Sequence, residues 1–445
     1  MICGMKDKWW DGSEIGVSCL ESMAKKDKIL QSAALVAIDL GSHGVRAMAA
    51  EKTDGGLLRV LGVESSQKFE CVEKGIINNT ANAGFMINEI LKLLSNRIHA
   101  EALPSAFACV GGRTMQVVPV FSRRDQVRKR EVMKALLEEM EEECKQKIEA
   151  RNPDVAVLDL IPYYYKLDGV EQDNEPTPDQ RAALVESHFI AFVGKKDLEQ
   201  KVTDSFNRSG KRLEHMFVRP DALLNALTTD EDTDRGCAII DFGAQTTTLT
   251  IYKGNQYLYN KVLPYGGYDI TRDIEQIGVS VAYAEQLKCK YGCACAEMVV
   301  KNHRFRVPSV VSPLGEVAIT AEELAGIINN RLNQILNPLL DELNKEPDRY
   351  GVVYVTGGGA MLQGLVPYMQ TKTSIEVMYG SHAGWLTADT SDEMCMPQYS
   401  SLIGTLLLGA SYRAEHPSVP TKSGKRIIDI LAEKTVDLFT DQTGY

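Results

Sequence analysis

The sequence predicts an α/β chain made of two similar halves, and three observations carry that prediction. An apolar strand from Leu35 to Asp39 ends in an aspartate, turns through Gly41, Ser42, His43 and Gly44, and returns as a strand from Val45 to Ala50. The same pattern recurs about 200 residues later: a strand from Gly236 to Asp241, a turn through Gly243, Ala244, Gln245 and Thr246, and a strand from Thr247 to Tyr252. That separation belongs to two similar folding units rather than to a solenoid. A third glycine turn, Gly357, Gly358 and Gly359 before Ala360 and Met361, follows the β-branched strand Val352 to Thr356 and precedes a helix.

Composition agrees with a globular chain. The 445 residues are 44% hydrophobic and 24% charged, which excludes a disordered tail protein and leaves room for about three domains. Forty-nine basic against sixty acidic residues give a net charge of −11, which weakens any broad grip on nucleic acid or anionic lipid. No nucleic-acid partner is expected. Ten cysteines without paired spacing or a secretory signal point to reduced thiols, and Cys289, Cys293 and Cys295 match no zinc pattern. The longest apolar run, Leu402 to Ala410, is about half of a membrane-spanning helix.

Along the chain, residues 1–32 form an extension expected to lack structure, since Met1 to Leu20 has no periodicity and Met23 opens a start-like sequence. Ala81 to Leu94 has helical apolar spacing, and the short strand Ala106 to Val110 is broken by Gly111 and Gly112. Arg123 to Arg151 reads as a charged helix, Val155 to Leu167 as a strand, Asp168 to Pro178 as an exposed loop, and His188 to Val193 as a strand. These make 113–193 an inserted subdomain. Leu198 to Gly210 and Thr320 to Lys345 read as helices, His416 to Gly424 as a linker, and Lys425 to Asp441 as a final helix. On a wheel of about 100° per residue that last helix gathers Ile427, Leu431 and Leu438 on one side, with Ile428 and Phe439 alongside, and Asp429, Glu433 and Asp437 opposite.

An aspartate at a strand end beside a small-residue hairpin puts backbone N–H groups and a carboxylate at one spot. Such nests hold anions, and the carboxylate can hold the magnesium that neutralises them. Glu285 and Lys288, three apart on a predicted helix, share a face. They read either as nucleotide contacts or as a surface ion pair. The seven histidines form no catalytic constellation; only His43 lies in a motif.

Together, Asp39, Gly41 and Ser42, then Asp241, Gly243 and Thr246, then Thr356 to Gly359, resemble the actin, sugar-kinase and DnaK-type chaperone superfamily. Within it the chain resembles FtsA, the bacterial cell-division family, through features spread over about 35–409. They include Lys74 with Gly75, Val157 to Pro162, Leu263 to Gly267 with Asp273, Ala284 to Lys288, Tyr291 to Ala294, Thr356 to Leu365, and Tyr399 to Gly404. The resemblance implies an actin-like ATPase fold: two ribonuclease-H-like domains clasping a nucleotide, with an inserted small subdomain. The first domain would comprise 33–112 and 194–236, the second 237–270 and 348–412, with 113–193 and 271–347 as the smaller subdomains, 413–424 as linker and 425–441 as a membrane-targeting helix.

The resemblance further implies ATP with magnesium as cofactors. Asp39, Gly41, Ser42 and His43 would form one phosphate hairpin, and Asp241, Gly243, Ala244, Gln245 and Thr246 the other. Glu285 and Lys288 would meet ribose and base, Gly266, Gly267, Gly357, Gly358, Gly359 and Met361 would complete the cleft, and Asp39 and Asp241 would hold magnesium through water. Two departures stand out: Ala244 and Gln245 replace glycines, with Thr248 in place of a frequent aspartate, and Arg219 with Pro220 stands where chaperones carry a glutamate that organises water. Without an acidic base, slow hydrolysis at most is expected, and no catalytic residue is assigned. Implied partners are the FtsZ C-terminal tail on 271–347, with Arg331 as a contact, further copies in a filament, other division proteins through 113–193, and the membrane through 425–441. The implied location is the cytoplasmic face of the inner membrane at the division site. A chaperone-like or pilus-assembly-type ATPase without membrane anchoring is the alternative.

Overall fold

The computed structural model describes residues 34–66, 71–254, 256–300, 302–311 and 315–416. The expected extension 1–32 and the terminal helix 425–441 therefore lie outside the described residues. In chain order, β1 (Leu35–Leu40), β2 (Val45–Lys52) and β3 (Leu58–Ser65) precede a small hairpin of β4 (Val72–Glu73) and β5 (Ile76–Ile77), helix α1 (Thr80–Arg97) and β6 (Ser105–Val110). Strand β7 (Gln116–Glu131), helix α2 (Lys134–Arg151), β8 (Val155–Leu167), β9 (Val170–Gln172) and β10 (Arg181–Lys195) follow. Helix α3 (Asp197–Ser209), β11 (Arg212–Val218), α4 (Arg219–Leu227) and α5 (Asp230–Arg235) lead to β12 (Cys237–Phe242), β13 (Thr247–Lys253) and β14 (Gln256–Leu263). The chain continues with α6 (Gly267–Glu275), α7 (Val281–Tyr291), β15 (Arg304–Pro308), β16 (Glu316–Thr320), α8 (Ala321–Leu343), β17 (Val352–Thr356), α9 (Leu365–Gln370), β18 (Glu376–Tyr379) and α10 (Ser400–Glu415).

Two five-stranded sheets share one topology, β11-β6-β1-β2-β3 and β14-β13-β12-β17-β18. In each, the strand ending in aspartate is central, antiparallel to its hairpin partner and parallel to the next strand on the other side. Both central strands are almost wholly apolar and buried, as expected of strands covered on both faces. The core of the first half continues into the second through Cys237, Ile239, Tyr252 and Val352. Helix α8 buries a long stripe from Leu324 to Leu343 in the second core, and Thr320 with Glu323 forms its capping box.

The inserted sheet runs β7-β10-β8-β9 with α2 against it. Here the sequence reading is corrected. Arg123 to Glu131 is strand, not helix: it pairs antiparallel with β10, from Phe121 opposite His188 to Glu131 opposite Arg181. The segment is an edge strand whose charges meet solvent, and charge on an edge blocks further pairing. Helix begins only at Lys134, where Leu137, Met140, Cys144 and Ile148 make a narrow buried stripe. The expected loop 168–178 contains β9, paired with β8.

The chain divides into two compact units, 1–409 and 410–445. In the second, Tyr412 stacks on His416 at 4.3 Å. No described helix is long and apolar enough to cross a membrane.

Candidate functional site

Between the two five-stranded sheets lies a cavity of about 480 Å³. The two hairpins, the glycine turn and the Glu285–Lys288 helix all line it; of the nucleotide-binding residues expected from sequence, Gly266 alone does not. The volume falls in the range of small-molecule sites.

The first hairpin closes through reciprocal bonds between the Gly41 and Gly44 backbones, both 3.2 Å. The second closes where Gly243 N donates to Thr246 O at 2.9 Å. Gly266 and Gly267 pack directly on it: Gly267 N donates to Gly243 O at 2.9 Å and Tyr268 N to Ala244 O at 2.7 Å. A Cβ on Gly266 would sit 2.5 Å from Gly243 O, so only glycine fits that approach. Gly357 is required twice over. Its φ is +87°, and a Cβ there would meet Asp241 Oδ1 at 2.4 Å.

The β4–β5 turn spans the two hairpins. Lys74 N donates to Gln245 Oε1 at 2.8 Å and Gly75 N to Ser42 Oγ at 3.0 Å. Gln245, which replaces a glycine of the family motif, thus ties the second half to the first.

Glu285 and Lys288 are both an ion pair and part of the cavity wall. Lys288 Nζ donates to Glu285 Oε2 at 2.8 Å, to Gly267 O at 2.9 Å and to Thr271 Oγ1 at 2.8 Å. Thr271 also donates to Glu285. Burial pushes the Glu285 carboxyl up, but the Lys288 ammonium and these bonds together hold it below its usual value.

The centre of the cleft is dominated by a residue whose contacts the sequence did not reveal. Arg219 opens α4, with Pro220 in its first turn. Its guanidinium grips Asp39 with two bonds, Nη2 to Oδ1 at 2.5 Å and Nη1 to Oδ2 at 3.2 Å, while Nε lies 3.9 Å from Asp241 Oδ2. Ser401 Oγ adds a bond to Asp39 Oδ2 at 3.1 Å. Burial pushes Asp39 up, yet the Arg219 charge and hydrogen bonds bring it below the usual carboxylate range. Asp241 goes the other way. Burial raises it, and the distant Arg219 charge does not compensate.

This arrangement bears on the expected magnesium. Asp39 has both oxygens occupied by Arg219 and Ser401, so it has little left to offer a hydrated cation, and any cation near Asp241 would stand beside a guanidinium. No cluster of three or more His, Cys, Asp or Glu able to hold a metal occurs among the described residues. The residues present do not suit a divalent ion shared by Asp39 and Asp241.

Behind Arg219 lies a second buried group. Asp221 accepts from Tyr257 Oη at 2.8 Å, and Tyr252 Oη donates to Pro220 O at 2.8 Å. Asp159, on β8 of the inserted sheet, is pushed up to about 7 by burial and by the Asp221 charge. Arg331 is held elsewhere: Nε and Nη2 each reach Asp273 at 2.6 Å. Arg331 is thus paired within 271–347 while its side chain keeps 23% of its surface exposed. Signals for Arg219 and Ser401 did exist in the sequence, as a cation in an acid's place and as part of the Tyr399 to Gly404 segment.

Comparison with known proteins places this geometry. A family model described as cell division protein FtsA matches residues 238–404, and one described as type IV pilus assembly protein PilM matches 37–301. FtsA of Streptococcus pneumoniae is 25% identical over 76% of this chain and 74% of that protein. FtsA of Enterococcus faecalis is 23% identical over 92% of both, and FtsA of Escherichia coli 23% over 84% of this chain and 90% of its own. Among solved structures, the PilM–PilN type IV pilus biogenesis complex superposes with a TM-score of 0.62 at 17% identity, covering 84% of this chain and 98% of that one. Spiroplasma citri MreB5 bound to AMPPNP gives 0.51 at 14% identity over 87% and 98%. The fold is therefore the actin-like one, with two ribonuclease-H-like domains around the cleft and an inserted subdomain.

Proposed function

Starting from a chain that belongs to the actin-like family of FtsA and PilM, we propose that it is an FtsA-type cell division protein that binds ATP, assembles into filaments on the membrane and tethers FtsZ there. The nucleotide reading is carried by one observation: Asp39, Asp241, both hairpins, Gly357 to Gly359 and the Glu285–Lys288 pair line a single cavity. Phosphates would lie at the N–H groups of the hairpin turns, and the glycine turn and Lys288 would face the nucleoside. Hydrolysis would be slow, below about 1 s⁻¹, because Arg219 is a cation and cannot serve as base.

The division role is supported by curated FtsA relatives that align over 76%, 92% and 84% of the chain. Neighbouring copies would be ordered by ATP holding the two halves in one orientation. The subdomain 271–347 would receive the FtsZ tail, with Arg331 as one contact. The segment 425–441 would anchor the filament by its apolar stripe, and many weak anchors in one filament would bind by avidity. A pilus-assembly role is the second reading, favoured by the PilM model's longer match and by the superposition on the PilM–PilN complex.

Fluorescence anisotropy with the full chain separates the two. An FtsZ C-terminal tail peptide should bind and a PilN peptide should not; the reverse result replaces the division reading with the pilus one.

A further inference from the structure

The central cleft holds a fixed positive charge beside the aspartates of both hairpins. Arg219 is anchored at the first turn of α4, with its guanidinium bonded to Asp39 and 3.9 Å from Asp241. It lines the cavity together with Arg46 and the turns of both hairpins. Its side chain keeps 20% of its surface accessible, against 5% for Asp39. A guanidinium carries five N–H donors, and the bonds to Asp39 use two, so donors remain on a residue that lines the cavity.

Resting on the nucleotide reading above, we propose that Arg219 stands in for the divalent cation: the cleft takes a nucleoside polyphosphate on the guanidinium and binds it without requiring magnesium. The charges favour this arrangement. When both are ionised, Asp39 and Asp241 offset Arg219 and Arg46, and the burial that raises Asp241 can only lessen the negative charge, so the centre has no unbalanced carboxylate for an ion to neutralise. A divalent cation at Asp241 would meet the Arg219 charge within a few ångströms in a poorly solvated cleft, where such repulsion is weakly screened. A phosphate oxygen there would instead gain a planar, multi-donor partner held in place by Asp39. Asp39 is thus a positioning residue for Arg219 rather than a metal ligand. Ser401, donating to Asp39 Oδ2, fixes that carboxylate in turn.

Calorimetric titration of ATP into the full chain, in excess magnesium and in excess EDTA, tests this. EDTA should weaken binding less than about tenfold. A larger loss overturns the inference and leaves the nucleotide reading standing; no binding in either buffer overturns both. Arg219→Gln should lose at least about tenfold in EDTA and recover part of it in magnesium, because the aspartates are then released to a cation. Arg219→Lys, which keeps the charge and should fold even if the glutamine variant does not, should retain most EDTA-resistant binding. Equal EDTA sensitivity in the parent and both variants would overturn the assignment.

Discussion

The two hairpins share a topology and an aspartate at the same place, yet their carboxyl groups are shifted in opposite directions from the ordinary value. Asp39 has three hydrogen bonds and is held ionised. Asp241 is nearly as enclosed, accepts no side-chain hydrogen bond among the described residues, and is raised by burial. The difference arises outside the hairpins, in Arg219 at the start of α4 and Ser401 on α10. Duplicated backbone geometry therefore does not fix the direction of a carboxyl's shift; side chains arriving from other helices do.

The largest expected effect comes from removing each aspartate in turn. Asp39→Ala strands the enclosed Arg219 charge and should cost about 3–5 kcal/mol, whereas Asp241→Asn should stay within about 1 kcal/mol of the parent. Urea unfolding midpoints measure both, and equal losses would erase the contrast.

A third carboxyl sharpens it. Asp159 lies among buried groups with no cation bonded to it, and its folded value of about 7 lies above the ordinary value near 3.9. Between those values the folded chain keeps a proton that the unfolded chain has released, so stability from this group falls as pH rises from about 4 to about 7 and is level above that. Asp159→Asn should flatten that slope and stabilise the chain above pH 7 by about 1–3 kcal/mol. Thermal midpoints measured across pH would show an unchanged slope if Asp159 titrates normally.

The smallest effect concerns the tie between the hairpins. Gln245→Ala removes the acceptor for Lys74 N and should cost about 1 kcal/mol. Faster hydrogen exchange at the Lys74 amide, with exchange at Gly75 less affected, would report it; unchanged exchange at Lys74 would show that the tie contributes nothing.

Much of this fold was legible because its signals are local. The strand, aspartate and glycine turn are contiguous at Leu35–Gly44 and again at Gly236–Thr246, and α8 announces itself by Thr320, Glu323 and its apolar stripe. The misreading of Arg123 to Glu131 has a physical cause: an edge strand is specified by its partner β10, and its own residues look like a solvated helix. The Arg219–Asp39 pair was out of reach for a related reason. Its members are 180 residues apart, and only the parallel pairing of β6 with both β1 and β11 brings the start of α4 beside the end of β1. Arg331 is a further case: its pairing with Asp273, 58 residues away along the chain, is not visible from the helix pattern.

The central claim, that nucleotide in this cleft controls assembly on a membrane, is tested most directly by liposome flotation of the full chain with a fluorescent FtsZ tail peptide, with and without ATP. The peptide should float with the liposomes only when ATP is present. Leu431→Glu with Phe439→Glu should abolish flotation without affecting peptide binding in solution, since each apolar side chain contributes roughly 1.5–3 kcal/mol when fully buried. Flotation that is the same with and without ATP, or that survives the double substitution, would contradict the account.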